Sequence, residues 1–103
     1  MGFFKKKKDE TSHRDLSRLH GKGLSYAVER TGGQELVLGR KGGISVTEAE
    51  IIVVCDGHEV FRCNARGAVA AELMSHNGVD IKGADPLTGE KRHIIAYYSN
   101  LKQ

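Results

Sequence analysis

Apolar residues are sparse over residues 1–22 and fall into short, dense runs from residue 23 onward. The dense runs read as strands, because alternating or continuous apolar stretches of a few residues between turn residues carry the period of a pleated sheet. Leu24, Tyr26 and Val28 alternate with polar partners until Thr31-Gly32-Gly33 breaks the run. Residues 35–38 make a second short strand, closed by Gly39-Arg40-Lys41-Gly42-Gly43, and residues 44–47 a third.

The strongest local pattern lies in residues 49–63, where Ile51-Ile52-Val53-Val54 and Val60-Phe61 flank Asp56-Gly57. That pair favours a two-residue hairpin turn. A regular hairpin sets Cys55 opposite His58, Val53 opposite Val60, Ile51 opposite Arg62 and Glu50 opposite Cys63. One face then carries Ile51, Val53, Cys55 and Val60, and the other carries Ile52, Val54 and Phe61. A hairpin that is apolar on both faces is expected to be central, curled into a barrel-like sheet, or covered by a second subunit.

Asn64 reads as a helix cap ahead of residues 65–75, with Val69 and Leu73 on one side, Ala70 and Met74 beside them, and Asn77-Gly78 as the stop. Residues 79–82 and 92–98 read as closing strands, bridged by Asp85-Pro86-Leu87-Thr88-Gly89. The expected fold is therefore α+β: a mostly antiparallel meander of about six to seven short strands, as a curled sheet or partly open barrel, with one main helix inserted before the C-terminal hairpin. Residues 23–103 form a single domain in this reading. Residues 1–22 are a basic N-terminal arm, with a short helix over 13–20 that Ser12 and Asp15 start and Gly21 ends.

A chain of 103 residues holds one hydrophobic core, and its 39% apolar and 28% charged content is that of a globular domain. The longest purely apolar run, residues 51–55, is far short of a bilayer span, so no transmembrane segment is expected. Lys5 to Lys8 lead into Asp9, Glu10, Thr11 and Ser12 and not into the apolar stretch of an export signal. The encoded start is thus expected to be the mature one and the address cytoplasmic, where Cys55 and Cys63 stay reduced.

The net charge of +3 divides unevenly. Residues 1–23 hold Lys5, Lys6, Lys7, Lys8, Arg14, Arg18 and Lys22 against Asp9, Glu10 and Asp15, a net +4 that leaves the remainder at −1. Basicity therefore belongs to the arm, which weakens the case for duplex binding by the folded part.

Candidate chemistry is thin. Cys55, His58 and Cys63 are not expected to bind a metal, because Cys63 lies about 17 Å beyond His58 on an extended strand and, in the regular hairpin, on the other face. The five histidines show no spacing to a nucleophile that catalysis requires, so an enzyme is the less expected outcome, no catalytic residue is assigned, and neither a cofactor nor a metal is expected. Gly32-Gly33 and Gly42-Gly43 lack the phosphate-loop spacings. Tyr97 and Tyr98 point to opposite faces of their strand, so only one can join a given surface.

The expected function is a small non-enzymatic binding or scaffolding module that self-associates through an apolar sheet face, with Ile51, Val53, Val60 and Tyr97 as interface residues. Its tether or anion-binding element is Phe3, Phe4, Lys5, Lys6, Lys7 and Lys8, which suit weak contact with an anionic membrane surface or with nucleic acid through residues 1–22. The alternative is a nucleic-acid accessory protein using the lysines on phosphates, and the third reading is a small enzyme whose pocket gathers distant residues.

Overall fold

The computed structural model describes residues 10–99. They form one seven-stranded antiparallel sheet and a single short helix, so the protein is all-β and not α+β. Helix α1 is His13–Ser17. The strands are β1 Gly23–Thr31, β2 Gln34–Val46, β3 Glu50–Cys55, β4 His58–Asn64, β5 Val69–Glu72, β6 Gly78–Ala84 and β7 Lys91–Tyr98. The order across the sheet is β4-β3-β2-β1-β7-β6-β5. Two meanders, β1 to β4 and β5 to β7, are thus joined by the pairing of β1 with β7.

The helix expected over residues 65–75 is absent, and the reason is local as well as tertiary. Gly67 sits at φ +85°, a left-handed conformation that interrupts any right-handed helix through it. Beyond it, Val69, Ala70, Ala71 and Glu72 pair with Lys82, Ile81, Asp80 and Val79 of β6. Alanine, glutamate, leucine and methionine give this stretch good helix propensity, yet a ladder with β6 overrides it. Of the side chains expected on the helix's apolar side, Met74 is 94% exposed, and Val69, Ala70 and Leu73 are half-buried. Residues 73–77 form a turn in which His76 adopts φ 62°.

The second and third expected strands are one. β2 runs through Gly39-Arg40-Lys41-Gly42-Gly43 without ending, pairing with β1 up to Gly43 and with β3 from Gly42 onward. The glycines are there for close approach: a Cβ on Gly42 would run into the Val54 carbonyl, and one on Gly39 would lie 2.7 Å from Cys55 Cβ. Stripped of side chains, this bend lets the β3–β4 hairpin fold across the inner face.

Asp56 (φ 55°) and Gly57 (φ 77°) make the expected turn, but the hairpin register differs from the regular one. A bulge between Val53 and Val54 pairs Val53 with Phe61, Ile52 with Arg62 and Ile51 with Cys63. One extra residue on β4 moves every side chain beyond it to the other face. Ile51, Val53, Cys55, Phe61 and Cys63 therefore all face inward, joined by Leu24, Ala27, Ile44, Val79, Ile81, Ile94 and Ala96. Cys55 and Cys63 are free, buried thiols on the same face, correcting the expectation of opposite faces.

Curling brings β4 over β6. A Cβ on Gly83 of β6 would lie 2.5 Å from Cys63 Sγ, so the sheet halves touch where that side chain is missing. One end of the curled sheet is capped by Leu16 and Leu19, both buried. The other is closed by Arg92, whose guanidinium lies 5.2 Å from the Phe61 ring centroid and donates to Glu29.

Candidate functional site

The outer face of the three central strands carries two cross-strand rows of side chains. Register places Arg40 of β2, Tyr26 of β1, Tyr97 of β7 and Gly78 of β6 in one row. Val37, Val28, Ile95 and Asp80 make the next. Two irregularities create this arrangement: an extra residue of β1, Ser25, shifts the ladder to β7 between Leu24 and Tyr26, and an extra residue of β2, Leu38, shifts the β1–β2 ladder between Ala27 and Val28. Leu24 and Ala27 consequently enter the core, whereas Tyr26 and Val28 stand outside it.

Tyr26 and Tyr97 stack with ring centroids 4.6 Å apart and planes 20° from parallel. Their bulk helps cover Val28 and Ile95, which are 4% and 5% exposed although they lie on the outer side. Tyr26 itself is 36% and Val37 48% exposed. Burial raises the Tyr97 phenol above its ordinary value, with smaller contributions from Tyr26 and Glu35. Tyr97 thus remains an uncharged hydroxyl at neutral pH.

Charges of both signs fringe this apolar centre. Arg30 lies 3.1 Å from Glu35 at the hairpin end. His93 Nε2 lies 2.8 and 2.9 Å from the two Asp80 carboxylate oxygens on the β6 side. Arg40 flanks Tyr26 and makes no ion pair among the described residues. An aromatic and aliphatic centre inside a polar rim has the chemistry of a protein-binding patch, in which each tyrosine offers apolar area and one hydroxyl.

Of the residues expected at an interface, Tyr97 lies in this patch and Val60 is half-buried on edge strand β4. Ile51 and Val53 have no exposed surface and belong to the chain's own core. Phe3, Phe4 and Lys5 to Lys8 lie outside the described residues. Tyr26, Val28, Val37 and Ile95 were not singled out from the sequence, because unbroken alternation groups Tyr26 and Val28 with Leu24 on one face.

Other chemistry is dispersed. Among the described residues no three His, Cys, Asp or Glu side chains gather as metal ligands would. His58 is exposed at its turn, while Cys55 and Cys63 are buried inside. Burial pushes the Cys63 thiol up to about 11 and the Cys55 thiol upward too. A groove of about 850 Å³ runs between residues 10–22 and β5, lined by Asp15, Arg18, Leu19, Lys22, Glu72 and Tyr98 among others. Lys22 Nζ lies 4.9 Å from the Tyr98 ring centroid.

No family model, no curated protein and no solved structure matches this chain.

Proposed function

We propose that the protein is a small binding module that self-associates through the outer face of β2, β1 and β7. The observation that carries this reading is the exposed Tyr26 and Val37, with the half-buried Tyr97 stacked on Tyr26, around the otherwise covered Val28 and Ile95. Tyrosines at the centre of a patch, with charges at its rim, are the usual composition of binding hot spots.

The occupant proposed is a second copy of the chain. A two-fold interface requires a surface complementary to itself. Arg30 and Glu35 at one rim supply both signs on one face, and Asp80, hydrogen-bonded to His93, lies at another. The folded part is also near neutral, so two copies do not repel over long range. The stacked tyrosines favour a protein partner over nucleic acid, because each ring already spends one face on the other and a base platform needs free faces.

Residues 1–9 complete the reading as an electrostatic tether, in which Phe3, Phe4 and the four lysines engage an anionic surface. Doubling the arm through self-association raises its effective affinity without new contacts.

Sedimentation equilibrium tests the proposal. The wild-type chain is expected to show concentration-dependent dimers, and Tyr26→Ser/Tyr97→Ser to shift the equilibrium at least tenfold toward monomer while remaining folded. Dimers of equal strength in the double variant would move the interface elsewhere. A monomer at every concentration would remove self-association altogether. Binding to anionic vesicles but not to a short oligonucleotide supports a membrane tether, and the reverse supports the nucleic-acid reading.

A further inference from the structure

Residues 10–22 form a strap that is pinned to the sheet at both ends. At its start, Thr11 N–H donates to the Ala68 carbonyl at 2.9 Å, and its hydroxyl accepts from Ala70 N–H at 2.7 Å. At its end, Gly21 N–H donates to the Ile44 carbonyl at 2.8 Å and Ile44 N–H to the Lys22 carbonyl at 3.1 Å. Leu16 and Leu19 anchor the middle in the core. The strap is therefore part of the folded unit, and its outward side chains are carried on a fixed backbone.

Those outward side chains are basic. Helix α1 turns Leu16 inward, and a helical position two residues away is rotated by about 200°, so Arg14 and Arg18 share the outward side. Lys22 closes the strap, with Nζ 4.9 Å from the Tyr98 ring centroid. The bend of β2 adjoins it: a Cβ on Gly43 would lie 3.3 Å from the Lys22 carbonyl oxygen, and Lys41 stands two residues before Gly43. Arg14, Arg18, Lys22 and Lys41 are all exposed. Among the described residues Arg14, Lys22 and Lys41 form no ion pair, and Arg18 reaches Asp15 only at 3.9 Å.

The nearby carboxylates have other partners. Glu10 accepts from Gly67 N–H, Asp56 accepts from Arg40 N–H, and Glu72 lies 3.9 Å from His76 Nδ1. Residues 10–99 carry a net charge of −1, but residues 10–22 and 39–43 together hold +3, which leaves −4 on the rest. The near-neutral domain is thus polarised, with its positive side continuous with Lys5 to Lys8.

We infer that the strap and the β2 bend form a second membrane-contact surface, which lays the folded domain against anionic lipid headgroups while residues 1–9 engage the same bilayer. This rests on the tether reading above and not on self-association. A lipid surface fits the chemistry better than nucleic acid does. Phe3 and Phe4 beside the lysines suit a bilayer, whose headgroup charge overlies an apolar layer. The strap itself holds no Phe, Tyr or Trp to stack on a base.

Flotation of the whole chain with vesicles of phosphatidylcholine containing about 30% phosphatidylserine provides the test. Lys22→Gln/Lys41→Gln removes two cations from this side, and Lys82→Gln/Lys91→Gln removes two equally exposed cations from β6 and β7. The first variant is expected to bind about tenfold more weakly or worse, and the second to change by less than about twofold. Both alter only exposed side chains, and their amide spectra report the fold separately. Equal losses would mean that net charge alone acts, and no loss in the first that the arm acts by itself. Either result overturns the inference and leaves the tether reading standing. A wild-type chain that does not float overturns both, and binding of a short oligonucleotide in place of vesicles, lost in Lys22→Gln/Lys41→Gln, would assign these cations to nucleic acid.

Discussion

Arg92 grips Glu29 with two hydrogen bonds of 2.8 Å, one from Nε and one from a terminal guanidinium nitrogen, at the end of the curled sheet opposite Leu16 and Leu19. Both side chains are about four-fifths buried, and the guanidinium also lies over Phe61. The arrangement is bidentate and charge-assisted, the stronger form of a polar contact between side chains.

That pair gives the protein an acid limit. The Arg92 hydrogen bonds hold the Glu29 carboxyl below its ordinary range against an opposing contribution from burial. A carboxyl depressed in the folded state contributes its stability above the unfolded value, near 4.3, and loses it as pH falls through the folded value. Glu29→Gln is expected to flatten the loss of stability between about pH 5 and pH 2 in urea titrations. Glu29→Ala, which leaves Arg92 partly buried and unpaired, is expected to cost about 2–3 kcal/mol at pH 7.

The bend of β2 makes a second expectation. Gly42→Ala drives a methyl into the Val54 carbonyl, so the β3–β4 hairpin must move away from β2. A loss of about 3 kcal/mol or more in denaturant midpoint is expected. Gly32→Ala, in the exposed β1–β2 turn, meets nothing within 4 Å and suffers only the strain of φ +58°. Its cost is expected to stay near 1 kcal/mol. If the two variants lost equal stability, close approach would not be the reason for Gly42.

The thiols supply a third. Cys63 has no exposed surface, and burial pushes it up to about 11, so little thiolate exists and no reagent reaches it. Native protein at pH 8 is expected to resist iodoacetamide at both cysteines for hours, and to incorporate two equivalents at once in 6 M guanidinium. Fast labelling of Cys63 under native conditions would mean that β4 opens away from β6.

How much of this was legible beforehand differs from element to element. Asp56-Gly57 announces its hairpin because both residues tolerate positive φ, and Leu16 marks the buried side of α1, with Leu19 buried in the turn that follows. The antiparallel sheet follows from such runs. The helix expected over 65–75 fails because residue preference in Ala65 to Met74 is weaker than pairing with β6, which no local pattern reveals. Bulges are the other silent feature. One at Val60 puts both cysteines inside, and one at Ser25 of β1 turns Tyr26 and Val28 outward. A one-residue shift leaves composition and apolar spacing unchanged while exchanging the faces, so the tyrosine patch becomes visible only in the folded ladder.

Dilution of ¹⁵N-labelled protein, followed by amide shifts from millimolar to low micromolar, addresses the tyrosine face most directly. Self-association through this face requires concentration-dependent shifts clustered on Tyr26, Val28, Val37, Arg40, Ile95 and Tyr97, with β3 unmoved. Shifts centred on β4, or none over that range, would contradict it.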